Sequence, residues 1–178
     1  MAKKPPRPPV PPPTARQLAD AFLTSSIMDV SGWHSIVAVS LNFKLQLRSD
    51  HGSMTVLTED ICRQQLLGFG VALDRLVYGN AARRYGKRVR RVVVLENGED
   101  RVWHAHLAME KPPTMADVKF RKLVMEAWDK CPWSGRQEDI QLDADEGWMD
   151  YLGKIRSKRE FISWSDCVVV EACFNDAK

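Results

Sequence analysis

The segment from Val92 to Met109 restricts the fold more than any other part of this chain. It reads as an apolar strand, an Asn97-Gly98 turn and a second strand ending in His104-Ala105-His106-Leu107. Two strands joined by so short a turn must pair antiparallel. In the second strand Val102, His104, His106 and Ala108 share one face, and Trp103, Ala105, Leu107 and Met109 the other. Two imidazoles therefore project side by side from one surface. On the first strand Glu96 shares a face with Val92 and Val94. An even pairing sum puts that face with the histidines, as a three- or five-residue loop gives, whereas a two- or four-residue loop reverses it. We expect a three-residue loop with Gly98 in the left-handed conformation.

The other periodic stretches say what surrounds this hairpin. Ser35 to Leu47 alternates, with Val37, Val39, Leu41, Phe43, Leu45 and Leu47 on one side and Ala38, Ser40, Asn42, Lys44 and Gln46 on the other. That spacing predicts one long strand with a polar face open to a ligand. Thr58, followed by Glu59 and Asp60, caps a helix to about Tyr78 with Ile61, Leu66, Phe69, Leu73, Leu76 and Val77 as its apolar stripe, ended by Gly79-Asn80. A second helix is expected after Thr114, with Asp117 as capping-box partner and Phe120, Leu123, Val124, Ala127 and Trp128 facing the core, closing at Cys131-Pro132. Further helices are expected over residues 15–28 and from about Glu146 to Lys158, and a last strand from Cys167 to Phe174. This order predicts an α+β fold with a central antiparallel sheet and helices packed on its faces.

The first 14 residues hold seven of the ten prolines together with Lys3, Lys4 and Arg7, and have little to bury. We expect a disordered or polyproline II tail there, and one domain over residues 15–178. No apolar run approaches the roughly 20 residues of a membrane span, and the N-terminus lacks a secretory h-region, so a cytoplasmic protein is expected. The four cysteines form no C-x-x-C pair, which argues against a zinc knuckle or a disulfide framework and for free, buried thiols. A net charge of +3 is unremarkable, but six cations, Arg83, Arg84, Lys87, Arg88, Arg90 and Arg91, crowd into nine residues ahead of the hairpin.

Two imidazoles and a carboxylate, with no thiolate near, suit a magnesium or manganese ion better than a closed zinc site. Taken alone, a His-x-His pair is more often polar surface, and Glu96 a strand-end carboxylate. On a helix from Gly147 onward, Trp148, Leu152 and Ile155 form the buried stripe. Tyr151, Lys154 and Lys158 fall within about 60° of one another on its flank. Two ammonium groups beside a phenol stabilise its phenolate and neutralise an approaching phosphate. The plain alternative is a boundary tyrosine among solvated lysines.

Taken together, these residues resemble the HUH endonucleases, in particular the rolling-circle replication initiators. Val37-Ala-Val-Ser-Leu-Asn-Phe43, then Glu96 with His104-Ala105-His106, then Tyr151-Leu-Gly-Lys154 match the order of their motifs, over roughly Ser35 to Phe174. The resemblance implies a ferredoxin- or RRM-like HUH fold of the single-tyrosine type that nicks and rejoins single-stranded origin DNA. Glu96, His104 and His106 would hold the divalent metal and Tyr151 would form a 5′-phosphotyrosine, assisted by Lys154. The cations from Arg83 to Arg91, with Lys158, would hold the DNA backbone. No P-loop sequence is present, so a separate helicase and a host polymerase are expected partners. A transposase or relaxase of the same superfamily, or a non-catalytic nucleic-acid-binding module, are the competing expectations.

Overall fold

A computed structural model describes residues 14, 29–49, 51–97, 102–145 and 147–152. Its elements in chain order are β1 (Ile36–Phe43), β2 (Gln46–Arg48), β3 (Met54–Val56), α1 (Glu59–Tyr78), α2 (Asn80–Arg84), β4 (Arg91–Asn97), β5 (Trp103–Glu110), α3 (Asp117–Asp129) and β6 (Ser134–Gln141). Residues 147–152 are helical. Four strands make an antiparallel sheet in the order β4-β5-β1-β6, and β2 pairs with β3 in a separate ribbon. Two split β-α-β units thus interleave, β1-α1-β4 around β5 and β5-α3-β6 around β1. This is the ferredoxin-like α+β arrangement.

Alternation in β1 and β5 decides which face is buried by the long helices. Val37, Val39, Leu41 and Phe43 join Ala105, Leu107 and Met109 against Phe69 and Leu73 of α1 and Phe120, Val124 and Trp128 of α3. Trp128 stands edge-on to both Phe43 and Phe69, at 5.1 and 5.8 Å. Thr58 caps α1 by accepting from the Ile61 amide, and Gly79 ends it at φ 55°. Cys62 and Cys131 are buried free thiols, whose pKa values burial pushes up to about 12 and about 11. On the opposite face a smaller cluster forms, with Met149 and Leu152 packed on Val92, Val94 and Ala108. The helical residues 147–152 are thereby laid over the polar side of the sheet. Among the described residues no helix is long and apolar enough to cross a membrane.

Several expectations change. The long strand from Ser35 to Leu47 breaks after Phe43, and its last residues enter the ribbon with β3. The β1–β6 register shifts between Leu41 and Phe43, where Gly135 lies so close that a Cβ would stand 2.5 Å from the Asn42 carbonyl oxygen. Helix α3 starts at Asp117 with Ala116 at its N-cap and no side-chain cap bond, because Asp117 pairs with Lys111 at 2.5 Å instead of closing a box with Thr114. Strand β6, Ser134–Gln141, falls where the sequence pattern predicts no element. Among the described residues it is an edge strand paired only to β1, and Ile140 is its one buried apolar residue, so it has no strong alternation. Met149, not Trp148, shares the buried stripe with Leu152. The expected tail, the helix over 15–28, the three-residue loop at Gly98 and the strand from Cys167 to Phe174 lie outside the described residues.

Candidate active site

The pairing of β1 with β5 assembles the polar face. Ser40 lies opposite His106 and Asn42 opposite His104, while on the other side of β5 Glu96 lies opposite His104 and Val94 opposite His106. The last pair of the hairpin, Asn97 with Trp103, keeps the pairing sum even. Glu96 therefore falls on the histidine face.

Each imidazole is held at Nδ1 by its neighbour on β1. His104 Nδ1 bonds Asn42 Oδ1 at 2.5 Å, and His106 Nδ1 bonds Ser40 Oγ at 3.0 Å. Asn42 Oδ1 can only accept, so His104 Nδ1–H donates to it and Nε2 is the ring nitrogen outside that bond. This is the outer-shell pattern that orients metal-binding histidines. His106 Nε2 faces Glu96 Oε2 at 3.2 Å. The carboxylate can only accept, so the neutral His106 ring donates Nε2–H to Glu96; an ion there would replace that proton, and a carboxylate beside an imidazole is a donor set that magnesium or manganese accepts. His104 is held aside by Asn42, its ring centroid 6.4 Å from that of His106. Among the described residues no three of His, Cys, Asp and Glu already converge as a metal-binding group. Burial lowers the pKa of His106, against the opposing pull of Glu96, and keeps the imidazole in the neutral form that a ligand needs.

Tyr151 comes to this cluster from the helical residues 147–152. Its ring stands edge-on to His106 with centroids 5.7 Å apart and stacks on Trp148 at 5.2 Å. Trp148 in turn meets the edge of His106 at 6.0 Å and donates its indole N–H to the Leu107 carbonyl at 3.0 Å. A phenolate favoured by neighbouring ammonium groups was expected; Lys154 and Lys158 lie outside the described residues, and the described surroundings act in the other direction. Partial burial, and then the Glu96 carboxylate, raise the Tyr151 pKa.

The cationic run divides. Arg91 is 6% exposed and pairs with Asp74, itself 2% exposed, through Nη1–Oδ1 at 2.9 Å and Nη2–Oδ2 at 3.3 Å. Arg88 adds a contact to Asp74 at 3.5 Å and donates to the Ala82 carbonyl. Arg90 faces Glu110 at 3.4 Å. Arg91 is thus a core residue and not a DNA contact, and Arg88 and Arg90 are engaged within the fold. Arg83, Arg84 and Lys87 are exposed. Arg91 opens β4, five residues or about 17 Å from Glu96, and the other five precede it in α2 and the connection to β4. The run therefore leads into the carboxylate's strand without bordering the carboxylate.

Sequence reasoning placed Trp148 in the core and gave Ser40 and Asn42 no role beyond a polar face. The signal for Ser40 and Asn42 was their position two apart on that face, matching the spacing of the histidines, but the β1–β5 pairing that uses it is a tertiary fact. No protein-family model, curated protein or solved structure matches this chain.

Proposed function

We propose that this protein cuts and rejoins single-stranded DNA through attack by Tyr151 on a phosphodiester bound at Glu96, His104 and His106, the reaction that initiates rolling-circle replication. The observation that carries this reading is the meeting of Tyr151 with His106 at 5.7 Å over the sheet face that also bears Glu96 and His104. Residues far apart in sequence thus bring a phenol beside an imidazole and a carboxylate, which is what supports the reading.

Tyr151 Oη forms a bond to phosphorus as the bond to the 3′ oxygen breaks, leaving a 5′-phosphotyrosine and a 3′-hydroxyl. The phenolic proton leaves to solvent, to which Tyr151 is 43% exposed, and the departing 3′ oxygen takes one up. The reverse reaction reseals the strand without a nucleotide, because the phosphoester is exchanged rather than hydrolysed. A magnesium or manganese ion held by Glu96, His104 and His106 would offset the charge that grows on the phosphate. Asn42 fixes the His104 ring with Nε2 turned away from it, and Ser40 holds the His106 ring at Nδ1 so that its Nε2 meets Glu96. Trp148 braces the tyrosine ring. In this role strand separation falls to a separate helicase and extension of the 3′-hydroxyl to a polymerase; a single-tyrosine transposase or relaxase would use the same chemistry.

One observation favours a second reading, a non-catalytic nucleic-acid-binding module. The stacked Trp148–Tyr151 pair lies over the open side of a ferredoxin-like sheet, where bases could stack. Incubation with single-stranded origin-type oligonucleotides and manganese separates the two. Wild type is expected to give an SDS-resistant protein–DNA adduct and Tyr151→Phe none. An unchanged adduct in the variant removes Tyr151 from its role, and no adduct with either protein across varied substrates favours the binding module.

A further inference from the structure

Beside the Tyr151 site a cleft of about 370 Å³ opens between β1, the end of β6 and the loop that leads into the helical residues. Its walls include Ala38, Gln141, Asp143, Asp145, Gly147 and Trp148. That volume lies within the range of small-molecule pockets. Its floor is two residues along the sheet from the proposed scissile position, since Ala38 faces Ala108 where Ser40 faces His106. This is about 7 Å, within the reach of one nucleotide.

The chemistry of the walls selects among the parts of a nucleotide. Trp148 offers aromatic surface and is the same ring that stacks on Tyr151. Two carboxylates accept hydrogen bonds and repel phosphate, so they suit the donor edge of a base and not the backbone. The loop is shaped to present them. Asp143 has φ 59°, a left-handed conformation uncommon outside glycine, and its Oδ1 accepts from Ser35 Oγ at 3.5 Å. The Ala144 amide is tied to the Ile36 carbonyl at 2.9 Å, which fixes the loop to β1. A Cβ on Gly147 would stand 3.0 Å from Asp145 Oδ1, so glycine there leaves that carboxylate room.

We propose that this cleft binds the base next to the scissile phosphate and favours one with an exocyclic amino group, adenine, cytosine or guanine, over thymine. The proposal rests on the nicking reading for the position of the phosphate. It adds base selection beside the cut, with Asp143 and Asp145 as the reading groups and Trp148 as the stacking wall.

The test uses the full chain and single-stranded oligonucleotides of oligothymidine carrying one adenine, cytosine or guanine at successive positions. Binding and SDS-resistant adduct are read on the same samples. One position is expected at which an amino-bearing base binds about tenfold more tightly than thymine or an abasic site. Asp143→Asn with Asp145→Asn should abolish or reverse that preference while overall binding persists, because an amide can donate to the thymine O4. Asparagine tolerates the left-handed conformation at position 143, and both sites are exposed, so the variant is expected to fold. Adduct formation without any positional preference, or a preference unchanged in the double variant, overturns the cleft and leaves nicking standing. A preference lost in the double variant, with no adduct from wild type, supports the cleft and overturns nicking. Absence of binding to every oligonucleotide overturns both.

Discussion

At the scale of single residues the candidate site turns on the neighbours of two side chains, His106 and Tyr151. His106 is kept neutral mainly by burial, with Ser40 on one nitrogen and Glu96 on the other. His106→Ala should abolish cleavage while leaving salt-sensitive DNA binding largely intact, as gel-shift and nicking assays on the same preparation would show. Equal loss of both would make the histidine structural. The raised pKa of Tyr151 carries a sign that can be tested. Burial and the Glu96 carboxylate make the phenol hold its proton to higher pH than an ordinary tyrosine, so the phenolate fraction, and with it the rate of metal-supported cleavage, should rise with pH throughout the range in which the protein stays folded. Manganese near Glu96 would cancel the carboxylate's contribution and move the phenol downward. Ultraviolet titration of wild type against Tyr151→Phe, with and without manganese, isolates this one phenol. An identical titration in both conditions would place the ion elsewhere.

At the scale of elements the strongest features were legible in the sequence and the weakest were not. Thr58, the acidic first turn and Gly79 marked both ends of α1, and alternation sorted β1 and β5 correctly into core and polar faces. Strand β6 escaped because, paired on one side among the described residues, it carries a single apolar residue, Ile140, and shows no alternation. The break after Phe43 depends on Gly135, which lets β6 approach the Asn42 backbone, a long-range contact that no local pattern announces. Gly135→Ala should therefore destabilise the β1–β6 pairing and, through Asn42, loosen His104; a loss of about 1–3 kcal/mol in denaturant unfolding is expected from overpacking of this kind. The Asp74–Arg91 pair was also hidden, since a charged residue within a helical stripe gives no sign of its partner. Gly70 leaves space for it, a Cβ there standing 2.5 Å from Arg91 Nη2. Removing one partner strands the other charge in the core, so Asp74→Ala should cost about 3–5 kcal/mol in the same measurement.

At the scale of the whole molecule the cationic run divides between charges bound into the fold and charges left exposed. Arg91 is bound into the core and Arg88 and Arg90 to neighbouring groups, whereas Arg83, Arg84 and Lys87 are exposed. Replacing those three together by alanine should leave stability within about 0.5 kcal/mol. If they neutralise three phosphates, the dependence of log K on log salt should flatten by about 2 for single-stranded DNA. An unchanged slope would mean that the strand runs over another surface. Legible in the sequence at this scale were the candidate site residues and their order. What it lacked was the pairing that sets Ser40 and Asn42 behind the histidines, and the packing of Met149 and Leu152 that brings Tyr151 over them.

That packing is the central claim, and mapping the covalent product tests it most directly. The chain has three tyrosines, Tyr78, Tyr85 and Tyr151. Wild-type protein incubated with a single-stranded oligonucleotide and manganese, then digested and sequenced by mass spectrometry, should carry a 5′-phosphonucleotide on the peptide containing Tyr151. Attachment at Tyr85, which is 75% exposed and lies in the connection between α2 and β4, or at any residue other than Tyr151, would contradict the account.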